Sequence, residues 1–299
     1  MPTPSLPETA IGVDVGGTRI RVARIGAAGD LTARVIEPVR PDRNGFVAQL
    51  SRLVGAFRTD GDGDVAVGIG IPGRVLGDRG EIVSAGYLDI AGLDLPALVA
   101  AETGLPARIE NDATMALVAE ANLRRGDTSG LTFMVTVGTG IGGAAIDGGV
   151  PWYGGGVSGQ FGHIVVAEAG PTCNCGRTGC VETFSSGTAL GRLITEAGLD
   201  AETKAEDLLA RAESGDALCS DLLARWATPL QRAIETLVAV ADPRLVIVGG
   251  GLGGEMVRAL ERLPKRSRWF DMPIEAARLG DDAGVIGAGL RALALPATT

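Results

Sequence analysis

The chain predicts an α/β protein of two domains, and three observations carry that expectation. Short apolar strands alternate with amphipathic helices from residue 11 onward. A strand, glycine turn, strand pattern at Ile11–Ile25 returns at Leu131–Asp147, an interval of about 120 residues. The length of 299 residues suits about two domains and buries roughly three quarters of the unfolded surface.

In order, apolar alternation on both sides of Gly16-Gly17 reads as a hairpin, with a third strand over Leu31–Pro38. Phe46, Leu50, Leu53, Val54 and Phe57 keep helical spacing, and Val65–Ile71 is a buried strand. A helix over Leu95–Thr103 ends at Gly104 and Pro106, and the short strand Ala107–Ile109 follows. Asn111 and Asp112 can cap a helix reaching about Leu123. After the second hairpin come helices near Ser186–Ala197, Ala205–Ser214 and Ala217–Val240. Leu245–Val248 is a buried strand, a helix runs from about Glu255 to Leu263, and an Ala/Gly/Leu helix over Ala283–Leu295 closes the chain.

Composition excludes several classes. At 45% apolar with 46 glycines the chain is far from a disordered composition, and no apolar stretch reaches the ~18 residues of a membrane span. The net charge of −9, with no Lys/Arg cluster, is the wrong sign to neutralise phosphates along a nucleic acid. The opening MPTPSLPETA has no basic segment followed by an apolar one, so a cytoplasmic protein is expected.

Three glycine clusters each follow a buried strand: Gly16-Gly17-Thr18, Gly138-Thr139-Gly140 and Gly249-Gly250-Gly251. Amides in such turns can approach phosphate oxygens closely, and the Thr18 and Thr139 hydroxyls add donors. A single cluster is more often only a tight turn. Three of them, with Asp14 ending the first strand, point to a phosphate-bearing ligand. Two near-matches to the dinucleotide fingerprint, Gly68–Gly73 and Gly138–Gly143, are discounted because that motif must open a helix. There is no Gly-x₄-Gly-Lys-Ser/Thr loop, which excludes a P-loop NTPase.

His163 is the chain's only histidine, and Cys173, Cys175 and Cys180 follow it within eighteen residues. One imidazole and three thiols make a closed tetrahedral Zn²⁺ set, and a closed set is structural because no position stays open for a catalytic water. Such a metal would hold a Gly/Pro-rich loop and orient its neighbours Gln160 and Glu182. Disulfides and an unliganded buried His are the competing readings; a Cys173–Cys175 bridge would close a very small, strained ring, and a chain without a signal peptide fits structural disulfides poorly. Cys219, among leucines at helical spacing, reads as a small buried apolar residue.

Together these residues resemble one family. Asp14-Val-Gly-Gly-Thr18, Glu110-Asn-Asp-Ala113, Val137–Gly143, Gly162-His163, the His-x₉-Cys-x-Cys-Gly-x₂-Gly-Cys-x-Glu run ending at Glu182, and Val248–Gly251 are similar, in order and over nearly the whole chain, to the ROK family of sugar kinases and repressors. The resemblance implies an actin-like ATPase (ribonuclease H-like) fold, two α/β domains with a cleft between the lobes. Residues 1–112 with the closing helix 284–299 would form the small domain, and 113–283 the large domain with the zinc loop. It also implies an ATP-dependent kinase that phosphorylates the 6-hydroxyl of a hexose. Gly16, Gly17, Thr18, Gly138, Thr139 and Gly140 would hold ATP phosphates, Gly249 to Gly251 would lie by the adenosine, and Asp14 would bind Mg²⁺ through water. Asp112 would be the general base, and Gly73, Asn111, Gln160, His163 and Glu182 would contact the sugar. A homo-dimer or tetramer is implied as well.

The competing reading of Asn111 and Asp112 is that they only cap a helix, although a cap position also places a carboxylate at a chain bend. Two departures from the family pattern bear on the sugar. Gln160 stands in Gln160-Phe-Gly-His163 where glucose-phosphorylating members carry Glu, so an acceptor-only carboxylate becomes an amide that also donates. Tyr87 stands where the family often has Asn. Glucose and an amino sugar, such as an N-acetylhexosamine or 3-amino-3-deoxyglucose (kanosamine), therefore compete as substrates, and polyphosphate competes with ATP as donor. Two other classes are a repressor, which would carry a helix-turn-helix where this chain has ten residues before its first strand, and a sugar sensor without chemistry, against which the retained Asp112 argues.

Overall fold

The structure is a computed structural model that describes residues 8–58, 65–86, 88–124, 130–264 and 267–295. The chain divides into two units, the first formed by Met1–Thr128, Gly149–Val157 and Asp281–Thr299, the second by Ser129–Gly148 and Ser158–Gly280. In the first unit the chain runs β1 (Thr9–Val15), β2 (Arg19–Gly26), β3 (Leu31–Pro38), α1 (Arg43–Ala56), β4 (Val67–Ile71), β5 (Arg74–Leu76), β6 (Glu81–Ser84), α2 (Leu95–Thr103), β7 (Ala107–Asn111) and α3 (Asp112–Leu123). The second unit opens with β8 (Leu131–Val137) and β9 (Ile141–Asp147), after which the two-residue β10 (Val150–Pro151) lies in the first unit again. It resumes with α4 (Glu182–Ser185), α5 (Gly187–Glu196), α6 (Ala205–Glu213), α7 (Ala217–Ala241), β11 (Leu245–Gly249), α8 (Gly253–Glu261) and β12 (Ile274–Ala276), and α9 (Ala283–Leu293) returns to the first. Among the described residues no helix is long and apolar enough to cross a membrane.

The first sheet has the order β3-β2-β1-β4-β7, antiparallel through β3, β2 and β1 and parallel through β1, β4 and β7. Its two faces are built differently, and the period-2 alternation of a strand does the sorting. Ile11, Val13, Val15, Val67, Ile69 and Ile71 join Phe46, Leu50 and Leu53 of α1 and Leu95 and Val99 of α2 in one apolar core. The alternate positions Ala10, Gly12, Asp14, Gly68 and Gly70 are small or acidic, and α9 and α3 cover them. A Cβ on Gly12 would lie 2.0 Å from the Val285 carbonyl oxygen, and one on Gly68 would lie 1.8 Å from that of Ala288. Helix backbone thus rests directly on strand backbone.

The first unit does not end where the sequence reading placed the boundary, at residue 112. It extends to Thr128. The reason is α3, which packs on α9: a Cβ on Gly287 would lie 1.7 Å from the Met115 carbonyl oxygen. Residues 149–157, read as part of the large domain, also belong to the first unit. Tyr153 donates to buried Glu110, and Arg74 Nε donates to the Gly156 carbonyl at 2.9 Å.

In the second unit β9, β8, β11 and β12 are neighbours in that order, the first pair antiparallel and the others parallel. Helices α5 to α8 bury Leu190, Leu208, Leu222, Trp226, Ile234 and Met256 against this sheet. Trp226 Nε1 donates to the Ser186 carbonyl at 3.0 Å, and Ser185 Oγ donates to the Trp226 carbonyl at 2.7 Å, which ties α7 to the start of α5. Cys219 is fully buried in α7, an apolar residue among leucines.

Candidate active site

In the first unit, strand register brings the acidic pair together. Asp14 at the end of β1 lies opposite Gly70 of β4, and Ile71, the next residue, lies opposite Asn111 of β7. A Cβ on Gly70 would lie 3.7 Å from the Asp112 Cα, so glycine there lets the start of α3 close over the sheet. Asn111 caps α3: its Oδ1 accepts from Ala113 N at 3.0 Å and Thr114 N at 3.2 Å, and its Nδ2 donates to the Gly73 carbonyl at 2.9 Å. Asp112 Oδ1 accepts from Ala113 N at 2.8 Å.

Burial, and then the charge of Asp14, push the Asp112 carboxyl from its ordinary 3.8 to about 7. A carboxyl with that affinity for protons is poised as a base near neutral pH. Asp14 is raised as well, by burial, while the Arg21 guanidinium 3.1 Å away opposes the shift. A cation beside Asp14 would relieve the repulsion between the two acids, so the donor set fits Mg²⁺. Arg21 also reaches Asp281 at 3.2 Å. At the β1–β2 turn Gly17 and Thr18 are exposed, and Gly16 N donates to the Arg19 carbonyl at 2.9 Å.

The second unit gathers two of the three glycine clusters. Leu252 N donates to the Val137 carbonyl at 2.9 Å, and Gly250 takes φ 82° with its Cβ position 2.5 Å from the Val137 oxygen, so only glycine serves there. The turn Gly138–Gly140 sits against the start of α5: Gly187 N donates to the Gly138 carbonyl at 2.7 Å, and Thr188 Oγ1 donates to the Thr139 carbonyl at 2.8 Å.

Gly17, Gly138 and Gly251 share an informative property. None has a positive φ, and a Cβ on any of them would meet nothing within 4 Å. The chain's own packing gives no reason for glycine at these three sites, and a side chain on any of them would point into open space.

His163, Cys173, Cys175 and Cys180 each offer one ligand atom, and these four atoms all lie within 4.8 Å of one another. His163 Nδ1 is 3.4 Å from Cys173 Sγ, and Cys175 Sγ is 3.5 Å from Cys180 Sγ. Those separations are near the edge of a tetrahedron with ligands ~2.0–2.3 Å from its centre. All four cysteines are free thiols. The Arg177 N–H and guanidinium pull the exposed Cys175 thiol down to about 6, towards the thiolate a metal needs, and burial pushes Cys180 up. Glu182 stands beside this cluster with Oε1 3.9 Å from Cys173 Sγ, and its Oε2 accepts from Ile141 N at 2.9 Å. Gln160 is exposed at the start of the short helical turn that carries His163.

Each unit therefore collects its own share of the expected residues: Asp14, Gly16, Gly17, Thr18, Gly73, Asn111 and Asp112 in the first, the remainder in the second. Tyr87 lies outside the described residues. Sequence reasoning missed Arg21, Thr188, and the buried Glu110, whose Oε1 accepts from Arg291 at 3.1 Å and from Tyr153. Glu110 immediately precedes Asn111, which was the available signal. The Arg291 partner, 181 positions away, was not visible.

The chain matches the ROK family over residues 10–294. It is 31% identical over 308 residues to a glucokinase of Halalkalibacterium halodurans, covering 93% of each chain. It is 34% identical over 295 residues to an N-acetylmannosamine kinase of Escherichia coli, covering 95% of this chain and 98% of the other. A ROK family glucokinase of Streptomyces griseus, crystallised with glucose and AMPPNP, superposes with TM-score 0.76 at 30% identity over 95% of this chain and 99% of that one.

Proposed function

Because the chain belongs to the ROK family and is a sugar kinase of the actin-like fold, we propose that it transfers the γ-phosphoryl group of ATP to the 6-hydroxyl of glucose or an amino sugar, with Asp112 as general base. The observation that carries this reading is the Asp112 carboxyl, held at about 7 by burial and by Asp14. Asp112 takes the proton of the sugar's hydroxymethyl group as its oxygen attacks the γ-phosphorus in line. Phosphoryl transfer asks little covalent work of a protein, so positioning and charge neutralisation supply most of the rate. Gly16, Gly17, Thr18, Gly138, Thr139 and Gly140 offer amides and hydroxyls to the phosphates, and Gly249 to Gly251 lie by the adenosine.

Asp14 would hold Mg²⁺ through water, and the ion would supply positive charge to the nucleotide phosphates. Asn111 keeps Asp112 at the mouth of α3 while its amide also holds the Gly73 carbonyl, so both residues reach the sugar from one rigid corner. His163, Cys173, Cys175 and Cys180 would hold Zn²⁺, whose part would be structural. With His163 Nδ1 in that cluster, Nε2 is the nitrogen that donates to a sugar hydroxyl. Glu182 accepts from another hydroxyl. Gln160 presents an amide that both donates and accepts, which favours a substituted hexose beside glucose.

A coupled ADP-release assay over glucose, mannose, fructose, the N-acetylhexosamines and 3-amino-3-deoxyglucose tests the proposal. Turnover with at least one of them, and ³¹P–¹H correlation of the product to the C6 protons, is the expected result. ATP bound but no sugar phosphorylated would place the chain with non-catalytic sugar sensors.

A further inference from the structure

Glu182 occupies a junction that its expected sugar contact does not explain. It opens α4 directly after Cys180 and Val181, and Val181 N donates to the Ile164 carbonyl at 2.9 Å, which anchors the segment next to His163. Its side chain does not stay within the metal loop. Oε2 accepts the Ile141 N–H at 2.9 Å, at the first residue after the Gly138–Gly140 turn. Gly140 has no positive φ, yet a Cβ there would lie 2.6 Å from Oε2. Glycine at 140 thus admits this carboxylate and does not serve a turn conformation.

The turn is gripped from two sides. Gly138 N donates to the Gly140 carbonyl at 3.0 Å and closes the turn on itself, while Gly187 N of α5 takes the Gly138 carbonyl at 2.7 Å. Glu182 takes the amide that follows. That fixes which N–H groups face inward to a carboxylate and which remain for phosphate oxygens.

We propose that Glu182 is a positioning residue for the nucleotide as well as a sugar contact, coupling the two substrate sites through one carboxylate. This rests on the reading above, in which the Gly138–Gly140 turn holds phosphate and Glu182 accepts from the sugar. One oxygen braces the turn through Ile141 N–H, and the other lies towards Cys173 and the sugar-facing loop. Linkage then requires reciprocity between the ligands: bound sugar changes ADP affinity by the factor by which bound ADP changes sugar affinity, and a variant that frees the brace is expected to alter both.

The test measures ADP binding by calorimetry without sugar, and KM for sugar separately, in Glu182→Ala, Glu182→Gln and Gly140→Ala, with metal content and circular dichroism recorded for each. Glu182→Ala weakens ADP binding about tenfold, the scale of one hydrogen bond to a charged acceptor. Glu182→Gln keeps an oxygen for Ile141 N–H and stays within about threefold of the parent for ADP, while its sugar KM rises. Gly140→Ala, which touches neither sugar nor metal, raises the ADP dissociation constant and the sugar KM together. Unchanged ADP binding in Glu182→Ala overturns the brace. If that variant loses its metal, Gly140→Ala decides, and parental values for both substrates there overturn it equally. Failure of the parent chain to phosphorylate any sugar would instead remove the kinase reading, because ADP binding without sugar is read independently of turnover.

Discussion

At the scale of single residues, Asp112 is where chemistry and stability oppose one another. Its folded carboxyl titrates at about 7 against an ordinary 3.8, so the base form is lost as pH falls below 7. With sugar limiting, kcat/KM should drop about tenfold per unit below that point, and Asp112→Asn should lower kcat at least about 10²-fold with no remaining inflection there. The stability consequence has the opposite direction. A raised carboxyl favours the fold only while protonated, so its contribution is intact below about pH 3.8 and is lost as pH rises through 7. In thermal melts without Mg²⁺, Asp112→Asn should therefore melt above the parent at pH 8 and with it at pH 4. Equal melting at pH 8 would mean that the carboxylate is not held against its solvation. Asn111, by contrast, is expected to matter through the cap, whose loss costs about 1 kcal/mol.

At the scale of elements, glycine is used in three physically different ways, and only one of them is conformational. Gly250, at φ 82°, needs the left-handed region. Gly17, Gly138 and Gly251 leave room that nothing in the chain fills. Gly12, Gly68 and Gly287 let α9 touch the backbones of β1, β4 and α3, with Cβ positions 1.7 to 2.0 Å from carbonyl oxygens. Backbone cannot yield as a flexible side chain can, so Gly287→Ala should destabilise by about 1–3 kcal/mol in urea unfolding. Gly191, exposed inside α5 with nothing within 4 Å of its Cβ position, is the control, and its change to Ala should stabilise by about 0.5–1 kcal/mol. The sequence revealed these elements where their periodicity was strong. Helix α2 over Leu95–Thr103 and α3 from Asp112 to Leu123 fall where caps and spacing placed them. The short strands β5, β6, β10 and β12 were missed, because two to four residues are too few for an alternation to register.

At the scale of the molecule, the second unit contains a loop with little regular structure between Ile164 and Val181, which the proposed metal would pin. Metal analysis of the purified chain should find about one Zn²⁺ per chain, since a closed Cys₃His set takes one ion. Stripping it with a strong chelator should lower Tm and abolish turnover, both restored by Zn²⁺ but not by Mg²⁺. Cys175→Ser should reproduce the loss, and full turnover in a demonstrably zinc-free chain would end the structural role assigned to the ion. What the sequence determined alone was chemistry and local form: the Cys/His spacing, the Asn111-Asp112 cap, the glycine turns, and the strands and helices long enough to be periodic. These are written in residues close together along the chain. Only the tertiary structure decided where the first unit ends, that Asp14 lies beside Asp112 to raise its carboxyl, that Arg291 reaches Glu110, and that Glu182 grips Ile141. Each of those depends on which distant segments meet. That follows from strand register and from where glycine permits close approach, which residue order does not display.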